Sequence, residues 1–157
     1  MAVKMPQPAG DSTKTVLAHV ENTLDPIIFP DSCVLLLGSM PSPKSREIGF
    51  YFGNPQNRFW RVVAALYGEK PLQSIPEKID FCKRHHLALC DVLKACDIKG
   101  ASDASIANPI PHNIGALIQD SSICAIFTLG GTATKFYKRY AEQQTGIPAR
   151  QLPSTSP

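Results

Sequence analysis

Cys33-Val34-Leu35-Leu36-Leu37-Gly38-Ser39-Met40-Pro41-Ser42 is the stretch that decides how this chain folds. Residues 33–37 form an unbroken apolar run of strand length, as expected of a parallel strand buried on both faces. The run empties into a loop of glycine, serine and proline that carries Lys44 and Arg46. Phe50, Tyr51, Phe52, Phe59 and Trp60 follow, five of the chain's twelve aromatic residues. Aromatic surfaces beside cationic side chains suit a pocket for an unstacked nucleobase. They equally suit a strand, a surface loop and an amphipathic helix with an apolar start.

Working outward, residues 87–91 and 123–129 repeat the short apolar run as second and third strands, and residues 150–152 read as the start of a fourth strand. Helical patterns separate them. Residues 57–67 place Trp60, Val63, Ala64 and Tyr67 on one face, with Arg58 and Arg61 pointing away and Gly68 as the stop. Residues 76–86 start with Pro76 in the first turn of a helix. Residues 113–119 read as a short helix, and Gly130-Gly131-Thr132 opens another with Ala133, Phe136, Tyr137 and Tyr140 along one side. Strands alternating with helices predict an α/β domain around a short, mainly parallel four-stranded sheet. In such sheets ligands bind beyond the carboxyl ends of the strands. Those ends fall at Gly38, Asp91, Gly130 and Pro153. Residues 1–13 read as a disordered leader, residues 15–22 as a short helix, and residues 99–113 as a polar, proline-rich stretch.

A chain of 157 residues with 43% apolar and 18% charged residues is globular in composition and the size of one domain. No apolar run approaches the ~20 residues of a membrane span, and the N-terminus lacks the pattern of a secretory signal. The expectation is a soluble, intracellular chain: nucleoid-associated in a prokaryote, nuclear in a eukaryote. The net charge of +3 permits a polyanionic partner without requiring one. Residues 121–157 carry Lys135, Lys138, Arg139 and Arg150 against Glu142 alone, either a phosphate-tracking face or an ordinary solvated one.

Five cysteines with no C-x-x-C argue against a disulfide framework and a zinc ribbon. Cys33, Cys90 and Cys124 sit in apolar runs and read as small core residues. His85, His86, Cys90 and Cys96 form a metal set only on paper, because adjacent histidines diverge on a helix.

From Gly38 to Trp60 the chain resembles the first active-site motif of the uracil-DNA glycosylase superfamily. It is most similar to the DNA-deoxyinosine (hypoxanthine-DNA) glycosylase branch, whose pattern is a strand, G-S-x-P-S, then F-Y-x-G-x-P-x-N-R-F-W. Leu89-Cys90-Asp91-Val92-Leu93, Gly100-Ala101-Ser102-Asp103 and Phe127-Thr128-Leu129-Gly130-Gly131 extend the likeness. Leu152-Pro153-Ser154-Thr155-Ser156-Pro157 is similar to the superfamily's second motif. The resemblance implies a three-layer α/β/α sandwich with residues 14–157 as one glycosylase domain, truncated within the second motif so that Ser154, Thr155 and Ser156 would fray. It implies a monomer that acts on double-stranded DNA carrying a deaminated base and needs no metal or cofactor. No lysine stands out as a Schiff-base nucleophile, so hydrolysis without strand cleavage is expected. The alternatives are a mismatch uracil or thymine glycosylase and a noncatalytic nucleic-acid-binding domain of the same fold.

Many members of that superfamily carry the catalytic Asn or Asp early in the first motif. That place falls here at Met40, which can neither donate a hydrogen bond nor move a proton. By the likeness to the deoxyinosine branch, the catalytic role passes to Asn57. Its amide presents a donor and an acceptor side by side, matching the N1–H and O6 of hypoxanthine and supporting charge that develops on O6. Its structural alternative is a helix N-cap worth about 1 kcal/mol. Gly38, Ser39, Met40, Phe50 and Phe52 are the expected base pocket, with Phe50 and Phe52 on one face of an extended segment and Phe52 stacking on the base. Asp103 is the candidate for orienting water, or else a surface carboxylate. Ser42, Lys44, Ser45 and Arg46, with Ser154, Thr155 and Ser156, are the expected holders of backbone phosphates, or else solvated polar residues.

Overall fold

The computed structural model describes residues 16–157; the leader expected at residues 1–13 lies outside the described residues. The run at the head of the sequence becomes β2, Val34–Gly38. It pairs in parallel with β3, Leu87–Asp91, on one side and β6, Ala125–Leu129, on the other. A fourth strand, β7, Ala149–Leu152, extends the sheet to the order β3-β2-β6-β7. Beyond β3, Ile27 exchanges backbone hydrogen bonds with Leu89, both 2.9 Å, and satisfies part of that strand's outer edge.

Alternation along these strands divides the interior in two. Leu35, Leu37, Ala88, Cys90 and Ile126 join one buried cluster with Phe136 and Tyr137 of α5, Gly131–Tyr140, and Ile114 of α4, Ile114–Ile118. Leu36, Leu87 and Leu89 join the other with Phe59, Trp60 and Val63 of α2, Phe59–Leu66, and Phe81 and Cys82 of α3, Ile75–Arg84. A sheet buried on both faces between helices is the three-layer α/β/α arrangement. The starts of α3 and α4 follow local capping chemistry: Ser74 Oγ accepts from the Glu77 N–H at 3.2 Å, and Asn113 Oδ1 from the Ala116 N–H at 3.1 Å. A last short helix, α6, Glu142–Thr145, leads into β7.

A second sheet is the main departure from the expected topology. β1, Ala18–Glu21, β4, Leu93–Lys99, and β5, Ser102–Pro111, form an antiparallel sheet in the order β1-β4-β5. Residues 18–21, expected in a helix, are thus a strand, fixed by pairing with β4 from Ala18↔Ile98 to Glu21↔Ala95. The expected proline-rich stretch is mostly β5. As an edge strand it tolerates Pro109 and Pro111, and its pairing with β4 shifts register three times. The loop after β2 holds a further unexpected helix, α1, Pro43–Ile48, capped by Ser42 and stopped at Gly49 in the left-handed region (φ 82°). Of the cysteines expected in the core, Cys90 is buried, whereas Cys33 is half-buried and Cys124 exposed, because both precede their strands at the sheet's amino edge. No helix among the described residues is long and apolar enough to cross a membrane.

Candidate functional site

At the carboxyl ends of β2, β3 and β6 the two sheets, the amino end of α2 and the segment after β7 enclose a cavity of about 290 Å³. That is the small end of ligand pockets. Of the residues singled out in the sequence, Gly38, Ser39, Met40, Ser42, Ser45, Phe52, Asn57, Asp103, Ser154, Thr155 and Ser156 line it. Phe50, Lys44 and Arg46 do not.

Phe50 belongs to the core. It is 5% exposed and stacks on Trp60 with ring centroids 5.6 Å apart. The expected extended run from Phe50 to Phe52 is instead a turn, closed by the Gly53 N–H donating to the Phe50 carbonyl at 3.2 Å. Phe52 has φ 52°, in the left-handed region where a bulky side chain is strained by about 1–3 kcal/mol. That backbone throws its ring away from Phe50, onto Phe59 at 4.0 Å and against the cavity. Tyr51 also lines the cavity, buried, its hydroxyl donating to the Leu24 carbonyl at 3.3 Å.

Asn57 stands one residue before the N-cap position of α2, which Arg58 occupies without a side-chain cap bond. Its Oδ1 accepts from the Phe59 N–H at 2.9 Å. That bond orients the amide and leaves the Nδ2 donors with no hydrogen-bond partner among the described residues. The structural and chemical readings of Asn57 are therefore compatible: the carbonyl secures the helix start while the amino group remains available in the cavity lining.

The sequence reasoning missed Asp91. It ends β3, is 3% exposed, and lines the cavity. A Cβ at Gly38 would lie 2.5 Å from Asp91 Oδ1, so only glycine lets the carboxylate rest on the backbone of β2. Asn22 Nδ2 donates to Asp91 Oδ2 at 3.3 Å and to the Leu93 carbonyl at 3.1 Å. Burial pushes the Asp91 carboxyl up to about 7; the Asn22 bond opposes this and the nearby Asp103 charge adds to it. The available signal was Asp91's standing as the sole charged residue in the apolar run 87–93, at the end of a strand.

Asp103 projects from the β4–β5 hairpin, accessible to solvent although protein atoms crowd its carboxylate. It accepts from Ser39 Oγ at 2.8 Å. Crowding raises its pKa, and the Ser39 bond works the other way. Ser42 and Ser45 are committed to local structure. Ser42 Oγ accepts the Ser45 N–H at 3.1 Å, and the buried Ser45 Oγ accepts the Gly53 N–H at 3.1 Å, which supports the Phe50–Gly53 turn. Lys44 is exposed and sits 3.3 Å from Glu47 on the same helix. Arg46 is half-buried, and its Nε is shielded from solvent without a partner among the described residues.

Residues 154–156 are held rather than frayed. The Arg58 N–H donates to the Thr155 carbonyl at 3.0 Å and Arg58 Nη2 to the Ser156 carbonyl at 3.1 Å. Gly130, at φ 88°, donates its N–H to the Leu152 carbonyl at 2.9 Å, and a Cβ there would approach Ser154 Cβ to 3.2 Å. Among the described residues no group of three or more His, Cys, Asp or Glu side chains could hold a metal ion.

No protein-family model matches the chain. Two curated relatives do. The chain is 37% identical over 83 residues to the hypoxanthine DNA glycosylase of Methanosarcina barkeri, a match covering 52% of each chain. It is 30% identical over 125 residues to the hypoxanthine DNA glycosylase of Methanosarcina acetivorans, covering 78% of each. The matched region thus spans about half the length of the first relative and over three quarters of the second. Among solved structures, the solution NMR structure of a candidate uracil DNA glycosylase from M. acetivorans superposes with a TM-score of 0.74 at 28% identity, over 85% of this chain and 83% of that one.

Proposed function

This chain belongs to the hypoxanthine DNA glycosylase branch of the uracil-DNA glycosylase superfamily, and we propose that it hydrolyses the N-glycosidic bond of a deaminated base in DNA, with hypoxanthine preferred. The observation that carries this reading is the meeting of Asn57, Asp91, Asp103 and Phe52 in one cavity at the strand ends. A base small enough to enter must first leave the stack, which costs a few kcal/mol and least at a mispaired base. Phe52, backed by Phe59, offers a stacking face for it.

Asn57 Nδ2 donates to O6 of hypoxanthine and stabilises the charge that grows there as the glycosidic bond breaks. Asp91 reads the same base. Protonated, it donates a second hydrogen bond to the leaving base; ionised, it repels the growing negative charge. Asp103, held by Ser39, orients the water that attacks the sugar. Met40 supplies only a wall. Uracil presents the same acceptor and N–H pair through O4 and N3–H, so it is the competing lesion.

The test is incubation with duplexes containing inosine, uracil, xanthine or a normal pair, followed by alkali and a denaturing gel. The expected result is abasic-site formation fastest at inosine, with no strand cleavage before alkali. Binding to the duplexes without base release would overturn the reading in favour of a noncatalytic domain.

A further inference from the structure

Arg58 is a cation at the amino end of α2, where the helix dipole favours negative charge. Its placement calls for a compensating partner, and the partners are carbonyl oxygens. The backbone N–H takes the Thr155 carbonyl at 3.0 Å, while Nη2 takes the Ser156 carbonyl at 3.1 Å and, at 3.5 Å, that of Ser154. One residue thereby engages three consecutive carbonyls. Both side-chain bonds leave one nitrogen, Nη2, whose two N–H groups are fixed in the guanidinium plane; a lysine is shorter and its ammonium has no fixed donor directions.

The residue immediately before Arg58 is Asn57, and Ser154, Thr155 and Ser156 line the same cavity as Asn57. Arg58 therefore ties the α2 start, which carries the Asn57 amide, to the segment after β7. Gly130 holds that segment from its other end through the Leu152 carbonyl. We propose that Arg58 is a positioning residue for base release, fixing the 154–156 segment and the α2 start relative to each other so that Asn57 meets the base at a productive angle. This rests on the glycosylase reading. Misplacing a reacting group by about 1 Å can cost ~100-fold in rate.

Arg58 is exposed, so the rival role is a plain phosphate contact. Arg58→Lys separates the two, because it keeps the charge and the backbone N–H but loses the reach and the fixed donor directions of Nη2. Three readings are needed on the wild type and the variant: the single-turnover rate on an inosine duplex, affinity for the abasic product duplex across a salt series, and amide exchange at residue 58 and at Ser156, whose N–H groups donate to the Thr155 carbonyl and to Ser154 Oγ. Rates are normalised to the folded fraction. The expected result is a rate at least ~10-fold lower, affinity and salt slope within twofold of wild type, and faster exchange at both amides.

A wild-type rate in Arg58→Lys would overturn the proposal. So would an unchanged rate at saturating enzyme with weakened affinity and an altered salt slope, the mark of a phosphate contact. A wild-type chain that releases no base would sink the glycosylase reading itself, and with it the role of Arg58. That outcome is distinct from an active wild type beside an equally active variant.

Discussion

The cavity lining has two chemically different parts. One, from the amino end of α2 and the segment after β7, carries the Asn57 amide and the hydroxyls of Ser154, Thr155 and Ser156. The other, from the end of β3 and the β4–β5 hairpin, carries Asp91 and Asp103. The first part does not titrate near neutrality and is assembled largely by backbone bonds. The second titrates: burial raises the pKa of both carboxyls, and the Asp103 charge adds to the cost of ionising Asp91. The contrast assigns charge stabilisation to the first and pH sensitivity to the second.

The sharpest way to break that division is at Asn57. Asn57→Ala should lower single-turnover release of hypoxanthine by at least ~100-fold, the scale of one preorganised donor. Asn57→Asp retains an acceptor for the Phe59 N–H but loses the amino group. It should be about as inactive as the alanine variant while keeping more of its stability. An active Asn57→Asp would reduce Asn57 to a support for the helix start.

Gly38→Ala probes the contact between β2 and Asp91. The new Cβ would sit 2.5 Å from Asp91 Oδ1, so the carboxylate must move. Overpacking of this kind costs ~1–3 kcal/mol. Denaturant melts should show that loss, and a markedly smaller one when Gly38→Ala is made in an Asp91→Ala background. Equal losses in the two backgrounds would mean that Asp91 is not what requires glycine there.

Asp91→Asn should remove pH dependence from both stability and rate. The folded-state pKa is raised to about 7 from 3.8, so the folded protein binds more protons than the unfolded chain between these values. The contribution of this carboxyl to stability is therefore fully present below pH 3.8, falls as pH rises through about 7, and is lost above it. The rate of base release should fall through the same inflection as the carboxyl loses its donor proton. In the asparagine variant both slopes should flatten, and its melting temperature relative to wild type should increase from pH 5 to pH 8. An unchanged inflection would move the pH response to Asp103.

The smallest effect is expected at Phe50. Phe50→Leu should lower stability by roughly 1 kcal/mol as a core substitution and leave the rate per folded molecule within twofold. Phe52→Leu should slow release without a comparable loss of stability. If the two variants behaved alike, Phe52 would be a core residue too.

What the amino-acid sequence made legible follows the same physical divide. β2, β3 and β6 could be read because central parallel strands are short continuous apolar runs between helices; β7, with Arg150 and Gln151 exposed at the sheet edge, could be read only from its place at the end of the strand–helix alternation. β1 and β5 could not. They are half-exposed and polar, and β5 keeps two prolines and a shifting register that only the edge of an antiparallel sheet accommodates. The motif from Gly38 to Trp60 brought attention to Asn57, Gly38 and Phe52. Its apparent alternation misassigned Phe50, because a turn with a left-handed Phe52 replaced the strand. Asp91 was visible as a lone charge in an apolar run but was read only as the strand's end. Arg58's contacts were not legible at all, since its side chain bonds to carbonyls 96 and 98 residues along the chain, and a carbonyl leaves no trace in residue type.

The most direct test of the central claim is chromatographic detection of the free base after one tube holds the protein with equal amounts of an inosine duplex and a uracil duplex. The account predicts that free hypoxanthine appears first and in stoichiometric amount with abasic strands. Uracil alone in the supernatant, or no free base at all, would contradict it.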